Sequence, residues 1–516
     1  MAPITAADPI AKGIIPTMKQ ALRDLLIWRQ RVVVTSENGE TYTEWHDPLP
    51  MQNPISLCLQ LSARDWLFFL CGFAAWTVDA YDFHALSIQT TKLAAYYNRS
   101  KTDITTAITL TLLLRSVGAA FFGLAGDKYG RKWPLVMNMV ILGALQIGTI
   151  FCSTFQQFLA VRSLFGMFMG GVYGNAIAMA LDQCPSGARG LMSGILQQGY
   201  AAGYVFAACG NLGVGGSVES WKTIFWIGAG LSFTIALVRA CFPESRPVVN
   251  AQAQGHDHGV SPGEFFQSVK LMLREEWRMC IYCVLFMTWF NYLSHTSQDS
   301  YTTFMLVQKE LENRSASIAS ILMQSGAFFG GAVMGYLSQS IGRRRSIILS
   351  AFLAGCLIPA WILPTGAAAL SVTGFVMQFF VQGAWGAIPI HLNELSPPAF
   401  RSTFPGLCYQ LGNMISSPSA QIVNAIAEST RVHSPTGDLV EAYGPTMGIS
   451  TAIVLIGMIV TTSLGPEKRG RAFDEQAVVG PEKTIDGRDA DLSKDEEMGV
   501  LSETVSRADN GRANRS

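Results

Sequence analysis

The chain has 516 residues, 49% of them hydrophobic and only 14% charged, with 49 glycines, a positive mean hydropathy and no net charge. Soluble domains carry about 25% charged residues, so this composition excludes an ordinary soluble protein and indicates a polytopic membrane protein, while zero net charge removes nucleic acid as an implied partner. The ten cysteines stand singly, mostly in apolar runs (Cys71, Cys152, Cys209, Cys356), and Cys280 and Cys283 lack the second pair that a zinc site needs, so neither a disulfide framework nor a metal is expected.

Residues 1–65 are polar and mixed and read as a soluble tail; they lack the short apolar core behind a basic start that marks a cleavable signal peptide. From there a window of about 19 residues finds about twelve candidate spans. Six of them, at 66–91, 103–125, 134–152, 155–180, 191–214 and 221–242, make an amino-terminal bundle over 66–242. A polar linker, 243–277, follows. Its "GHDHG" (255–259) reads as flexible chain rather than a metal site. Six more spans, at 278–306, 318–339, 346–363, 369–392, 404–427 and 446–464, make a second bundle over 278–464. Residues 465–516 are charged and poor in aromatics, the composition of a disordered tail. The expected fold is an all-α membrane protein of twelve transmembrane helices in two six-helix bundles.

Lysine and arginine collect on one side of these spans. Lys128, Arg131 and Lys132 follow the second, Arg343, Arg344 and Arg345 the eighth, and Lys468, Arg469 and Arg471 the twelfth. The positive-inside bias then puts both termini in the cytoplasm. The sequons at Asn98 and Asn313 fall outside, where a glycan can be attached, and the one at Asn514 inside, where it cannot.

The two halves repeat each other. "GLAGDKYGRK" (123–132) after the second span is answered by "GYLSQSIGRRR" (335–345) after the eighth, and "LDQCPSGARG" (181–190) after the fourth by "NELSPPAFRS" (393–402) after the tenth. These paired motifs resemble the major facilitator superfamily over essentially all of residues 66–464. The resemblance implies two pseudo-symmetric bundles, with Asp127 and Arg131 latching a cytoplasmic gate and Arg162, in "RSLFGMFMGG", at a charge-relay position of the fourth helix. Transporters of this kind hold substrate near the bilayer midplane between the halves and rock around it.

Mid-helix polar residues therefore matter most. Within "NYLSHTSQDSYTTF" (291–304), residues Asn291, His295, Gln298, Asp299 and Thr302 recur at helical spacing and form one polar stripe on span seven. Ionisable groups inside a membrane are costly and usually line a cavity or a substrate path; the competing reading is that Ser294 to Thr303 is merely the wet end of the helix. Read in order, Asn291, Ser294, His295, Gln298, Asp299 and Thr303 are similar to the signature of the fungal lactate and pyruvate proton symporters, and "WTVDAYDFHALS" (76–87) and "LLLRSVGAAFFG" (112–123) are similar to the same family. That resemblance implies proton-coupled uptake of short monocarboxylates across the plasma membrane.

The chemistry can also be built from the residues. Arg115 is the only cation in the middle of span two, permanently charged and shaped to fork a carboxylate; its competing role is an internal salt bridge to Asp79 or Asp82. Coupling needs a group that titrates across the working pH. His295 does so near neutrality and Asp299 lies one helical turn away, with Asp79 and Asp82 as further candidates. The substrate-binding candidates are thus Arg115, Asn291, Ser294, His295, Gln298 and Asn413. Gln197, Gln198, Gln378, Gln382, Tyr409 and Gln410 serve equally well to tie helices together. A carrier of another organic acid, such as a dicarboxylate or a sialic acid, or a nutrient receptor that moves nothing, shares most of these features. No nucleophile elbow, metal cluster, phosphate loop or cofactor motif suggests an enzyme.

Overall fold

The structure is a computed structural model that describes residues 18–27, 30–35, 41–47, 50–214, 217–244, 262–397 and 400–469. The "GHDHG" segment, Arg471, Asn514 and nearly all of the carboxyl-terminal tail lie outside the described residues.

Twelve helical spans follow one another as the hydropathy pattern requires. The first half consists of Ala63–Ile88, Lys101–Tyr129, Lys132–Ile150, a fourth span broken into Phe155–Met169 and Val172–Asp182, a fifth broken into Arg189–Gln197 and Gly199–Gly213, and Trp221–Cys241. The second half consists of Trp277–Gln298 with its continuation Tyr301–Thr303 and a π-turn at Phe304–Gln308, then Asn313–Ile341, Arg343–Ile362, a tenth span split into Ala367–Gly386 and Ile388–Leu395, an eleventh split into Thr403–Ser416 and Ser419–Ser429, and Tyr443–Leu464. Span seven, expected as one helix over 278–306, thus loosens after Gln298. Starts are written locally: capping boxes Ser62 with Asp65, Ser100 with Asp103 and Thr154 with Gln157 satisfy the free N–H groups of spans one, two and four.

Among the described residues, eight spans are long and apolar enough by themselves to cross a membrane. The four that fall short are one, five, seven and eleven. Span one carries Asp79 and Asp82, span seven its amides and His295, span five Gln197, Gln198 and Asn211, and span eleven Gln410, Asn413, Gln421 and Asn424. Spans one and seven occupy equivalent places in the two halves, as do five and eleven.

The segment before span one is more than a loose tail. A short helix, Met18–Leu26, docks on the second half, where Arg344 Nη2 donates to the Ala21 carbonyl (3.1 Å) and Arg345 Nε to that of Leu25 (2.9 Å). Tyr336 of span eight donates to the Gln52 carbonyl, after which Pro54–Leu59 leads into span one. The linker likewise contains a helix, Pro262–Glu275. A small hairpin, Arg431–His433 paired with Leu439–Glu441, joins spans eleven and twelve on the face opposite the basic turns.

The halves meet through spans two and eleven and through five and eight. Glycine makes this possible where backbones touch. A Cβ on Gly123 would sit 2.7 Å from Thr403 Cα, and one on Gly194 would strike the Gly331 carbonyl. Both contacts lie toward the basic turns, so the halves are pressed together on that face.

Candidate functional site

A cavity of about 30 Å³ lies between the halves, lined by Phe83, Leu112, Arg115, Gln197 and Tyr200 from the first and by Asn291, Ser294, His295, Gln382, Trp385, Tyr409 and Asn413 from the second. Holding one water takes roughly 10–15 Å³ on the same measure, so the space suits a body of two or three water-sized groups.

Arg115 is buried and its Nη2 lies 3.1 Å from Asp79 Oδ2, making an ion pair between spans two and one. Its guanidinium also lies 5.6 Å from the centre of the Phe83 ring. The pair is incomplete as a hydrogen-bond set: Arg115 Nε and Asp79 Oδ1 are buried without partners. A guanidinium that reaches a cavity with donor capacity to spare can accept a carboxylate there. Of the two aspartates offered by the sequence, Asp79 is the partner. Asp82 turns the other way, accepting from Gln146 Nε2 (2.6 Å), while Arg162 Nη1 donates to Gln146 Oε1 (2.9 Å) and its guanidinium stacks 4.0 Å from the Phe165 ring centre. This Asp82, Gln146, Arg162 chain belongs to the packing of the first half and does not line the cavity.

Across the cavity, His295 Nδ1 lies 2.8 Å from Asp299 Oδ2, a geometry in which Nδ1–H donates to the carboxylate, and Nε2 lies 3.5 Å from Asn413 Oδ1. The Asp299 side chain is 41% exposed and His295 13%, so the pair sits where the cavity meets solvent on the hairpin face. The polar stripe of span seven is divided by packing. Asn291, Ser294 and His295 face the cavity, whereas Gln298 accepts from Gln324 Nε2 (3.3 Å) and Thr302 meets Ser320 (2.9 Å), both on span eight. Gln378 is likewise spent on Ser297 (3.1 Å), and Gln410 is buried away from the cavity.

Below the cavity, toward the basic turns, aromatic rings from both halves close the path. Tyr173 stacks on Tyr409 at 4.1 Å and 16°, with Trp76 (5.9 Å) and Trp385 (5.7 Å) edge-on to Tyr409. Farther down, Asp127 accepts from Ser402 N (2.8 Å), Thr403 N (2.8 Å) and Thr403 Oγ1 (2.6 Å), so a carboxylate of the first half caps the start of span eleven in the second. Arg131 does not turn to Asp127; it pairs with Asp182 at the end of span four and donates to Ser402 Oγ (3.2 Å). The repeat holds at this level, since Arg343 pairs with Glu394 at the end of span ten (3.1 Å), and each arginine lies 51 residues before its acid.

Several participants escaped the sequence reading. Phe83, Leu112, Tyr200 and Trp385 line the cavity but look like ordinary apolar span residues. Asp182 and Glu394 could have been found, because they occupy matching places in the paired motifs. So could a third repeat: "PESR" (243–246) after span six and "PEKR" (466–469) after span twelve. Glu244 accepts from Lys132 N (2.9 Å) and Glu467 from Arg343 N (2.5 Å), capping the starts of spans three and nine. Of the glycosylation candidates, Asn98 is exposed at the left-handed end of a short helix, φ 51°, and Asn313 begins span eight, its side chain lying outside the described residues.

The family model described as Major Facilitator Superfamily matches residues 66–420. This chain belongs to the Major Facilitator Superfamily. As such it is a multi-pass transporter that binds a small organic substrate within the lipid bilayer, and not an enzyme. It is 32% identical, over 81% of its own length and 70% of the relative's, to a carboxylic acid transporter protein homolog of Saccharomyces cerevisiae. It is 24% identical to a probable 4-methylmuconolactone transporter of Cupriavidus pinatubonensis, over 79% and 91% of the two chains. Among solved structures, the proton:xylose symporter XylE bound to 6-bromo-6-deoxy-D-glucose superposes with a TM-score of 0.62 at 15% identity, over 80% of this transporter and 98% of that chain. The twelve-helix, two-bundle architecture is therefore that of the family.

Proposed function

We propose that this transporter is a proton-coupled symporter of short monocarboxylates such as lactate and pyruvate, working by alternating access at the plasma membrane with both termini in the cytoplasm. The observation that carries the reading is Arg115, a permanently charged fork with unused donors in a small cavity, facing the His295 and Asp299 pair on the opposite half. The fork would bind the substrate carboxylate in place of part of its bond to Asp79, while Asn413, Asn291 and Ser294 offer hydrogen bonds to a hydroxyl or keto oxygen. The imidazole and carboxylate, 2.8 Å apart, can share and release one proton, so a charged acid and a proton cross together and loading leaves the net charge of the site unchanged.

Asp127, its cap on span eleven and the Tyr173–Tyr409 stack would form the closed cytoplasmic gate, with the hairpin face outside. The small cavity favours an acid of a few heavy atoms over a sialic acid or an extended dicarboxylate. The name of the yeast relative supports a carboxylate, and that of the muconolactone transporter keeps a larger acid in view. Labelled lactate uptake by the purified protein in vesicles, with and without an inward proton gradient, tests the reading. Accumulation only with the gradient supports it; gradient-independent uptake removes the symport, and uptake of succinate or sialate in preference to lactate removes the monocarboxylate.

A further inference from the structure

The short helix before span one, Met18–Leu26, is held at the basic end of the second half by its own backbone. Arg344 donates through Nη2 to the Ala21 carbonyl (3.1 Å) and through Nε to that of Thr462 at the end of span twelve (2.9 Å). Arg345 donates to the carbonyls of Leu25 (2.9 Å) and Asp24 (3.1 Å), so guanidinium groups satisfy the carbonyl end of the helix. Side chains contribute little to this docking. Of the nine, only Ala21 is buried.

The larger apolar side chains are left without cover. Met18, Leu22 and Leu26 recur every fourth residue in one row and are 66%, 38% and 86% exposed. Lys19 and Arg23 form the adjoining row and are exposed as well, with Arg23 loosely paired to Asp24 at 3.6 Å. A row of large apolar groups bordered by cations marks a helix that lies in the surface of a bilayer. Nine residues are too few to cross one, which takes about 20. The neighbouring surface belongs to the lipid: spans nine and twelve, on whose basic ends the helix rests, expose Leu349, Phe352, Ile453, Ile456 and Val460. The uncovered row stands where that apolar band ends.

We propose that Met18–Leu26 is an interfacial helix that binds anionic phospholipid. Met18, Leu22 and Leu26 enter the acyl boundary of the leaflet on the side of the basic turns, and Lys19 and Arg23 hold the phosphate and carboxylate groups above them. A soluble partner would have to displace lipid from the adjoining ends of spans nine and twelve, whereas a phospholipid extends the surface already there. The two cations select an anionic headgroup over a neutral one. Neither the substrate nor proton coupling enters this inference.

Amide hydrogen exchange over residues 18–26 tests it on the purified full-length protein, one transporter per lipid nanodisc, in phosphatidylcholine alone or with about 30% phosphatidylserine. Exchange is expected to slow about tenfold in the anionic bilayer, and added salt should shrink that difference by screening the headgroups. Lys19→Glu combined with Arg23→Glu should abolish the difference while exchange in the spans stays unchanged. Leu22→Gln combined with Leu26→Gln should speed exchange in both bilayers. Equal exchange of the unaltered protein in the two bilayers overturns the proposal without recourse to any variant. So does a lipid difference that survives the charge reversal. Protection that appears only when two transporters share a nanodisc assigns the row to a second copy of the chain and likewise overturns it.

Discussion

Arg115 and Asp79 face each other at 3.1 Å inside the membrane, on spans two and one, and each keeps one buried polar atom without a partner. Removing one member of a buried pair typically costs about 3–5 kcal/mol, because the other charge is left uncompensated. Arg115→Ala should therefore lower thermal stability and abolish detectable lactate binding, and Arg115→Lys should restore neither fully, since a point charge lacks the fork. Asp79→Asn is the more informative change. If the substrate carboxylate takes over the guanidinium, lactate should raise the melting temperature of Asp79→Asn more than that of the parent. Equal ligand shifts would leave Arg115 a structural cation.

Coupling and recognition should separate on span seven. His295→Ala and Asp299→Asn should lose uphill lactate uptake, and at least one should retain exchange, which needs rocking but no net proton movement. Paired uptake and exchange on the same purified variants provide the measurement, and intact coupling in the double variant would move the search to Asp79 and Asp82. Gln298→Ala belongs to another class. Its side chain bonds Gln324 on span eight, so loss of roughly 1–3 kcal/mol in stability, with affinity little changed, is expected.

Asp127 holds the start of span eleven through three hydrogen bonds of 2.6–2.8 Å. Asp127→Ala frees a helix start and should cost about 1–2 kcal/mol, while Asp127→Asn, which still accepts hydrogen bonds, should cost less. The same loss should favour opening at the basic face. Thiol labelling from that face of a cysteine placed by Asn413→Cys should speed up in Asp127→Ala; unchanged labelling would mean that the cap does not hold the gate.

The ring stack of Tyr173 on Tyr409 predicts a graded series. Tyr409→Phe keeps the stack and should leave that labelling rate close to the parent's. Tyr409→Ala removes both the ring and its contact with Trp385, for a cost of about 3–5 kcal/mol if the space stays empty, and should admit the reagent. A labelling rate blind to both changes would place the gate elsewhere.

Topology has its own test. If the basic turns face the cytoplasm, as proposed, glycan should be confined to Asn98 and Asn313 and absent from Asn514. Modification at Asn514 would invert the orientation.

Sequence alone determined the class, the twelve spans and the repeat, because hydropathy over about 20 residues, capping residues and basic turns are local signals that survive any arrangement of the helices. It also singled out Arg115 and His295, since a charge in an apolar run stands out wherever the run packs. Tertiary structure decided what these groups meet. Helices that are apolar nearly all round carry little information about which side faces which neighbour, so helical spacing could gather Asn291, His295, Gln298 and Thr302 on one stripe but could not foresee that span eight would take the last two. For the same reason Asp79 and Asp82, three residues apart, looked equivalent as partners for Arg115. Packing of spans three and six around Asp82 gave it Gln146 and Ser232 instead and left Asp79 as the partner of Arg115.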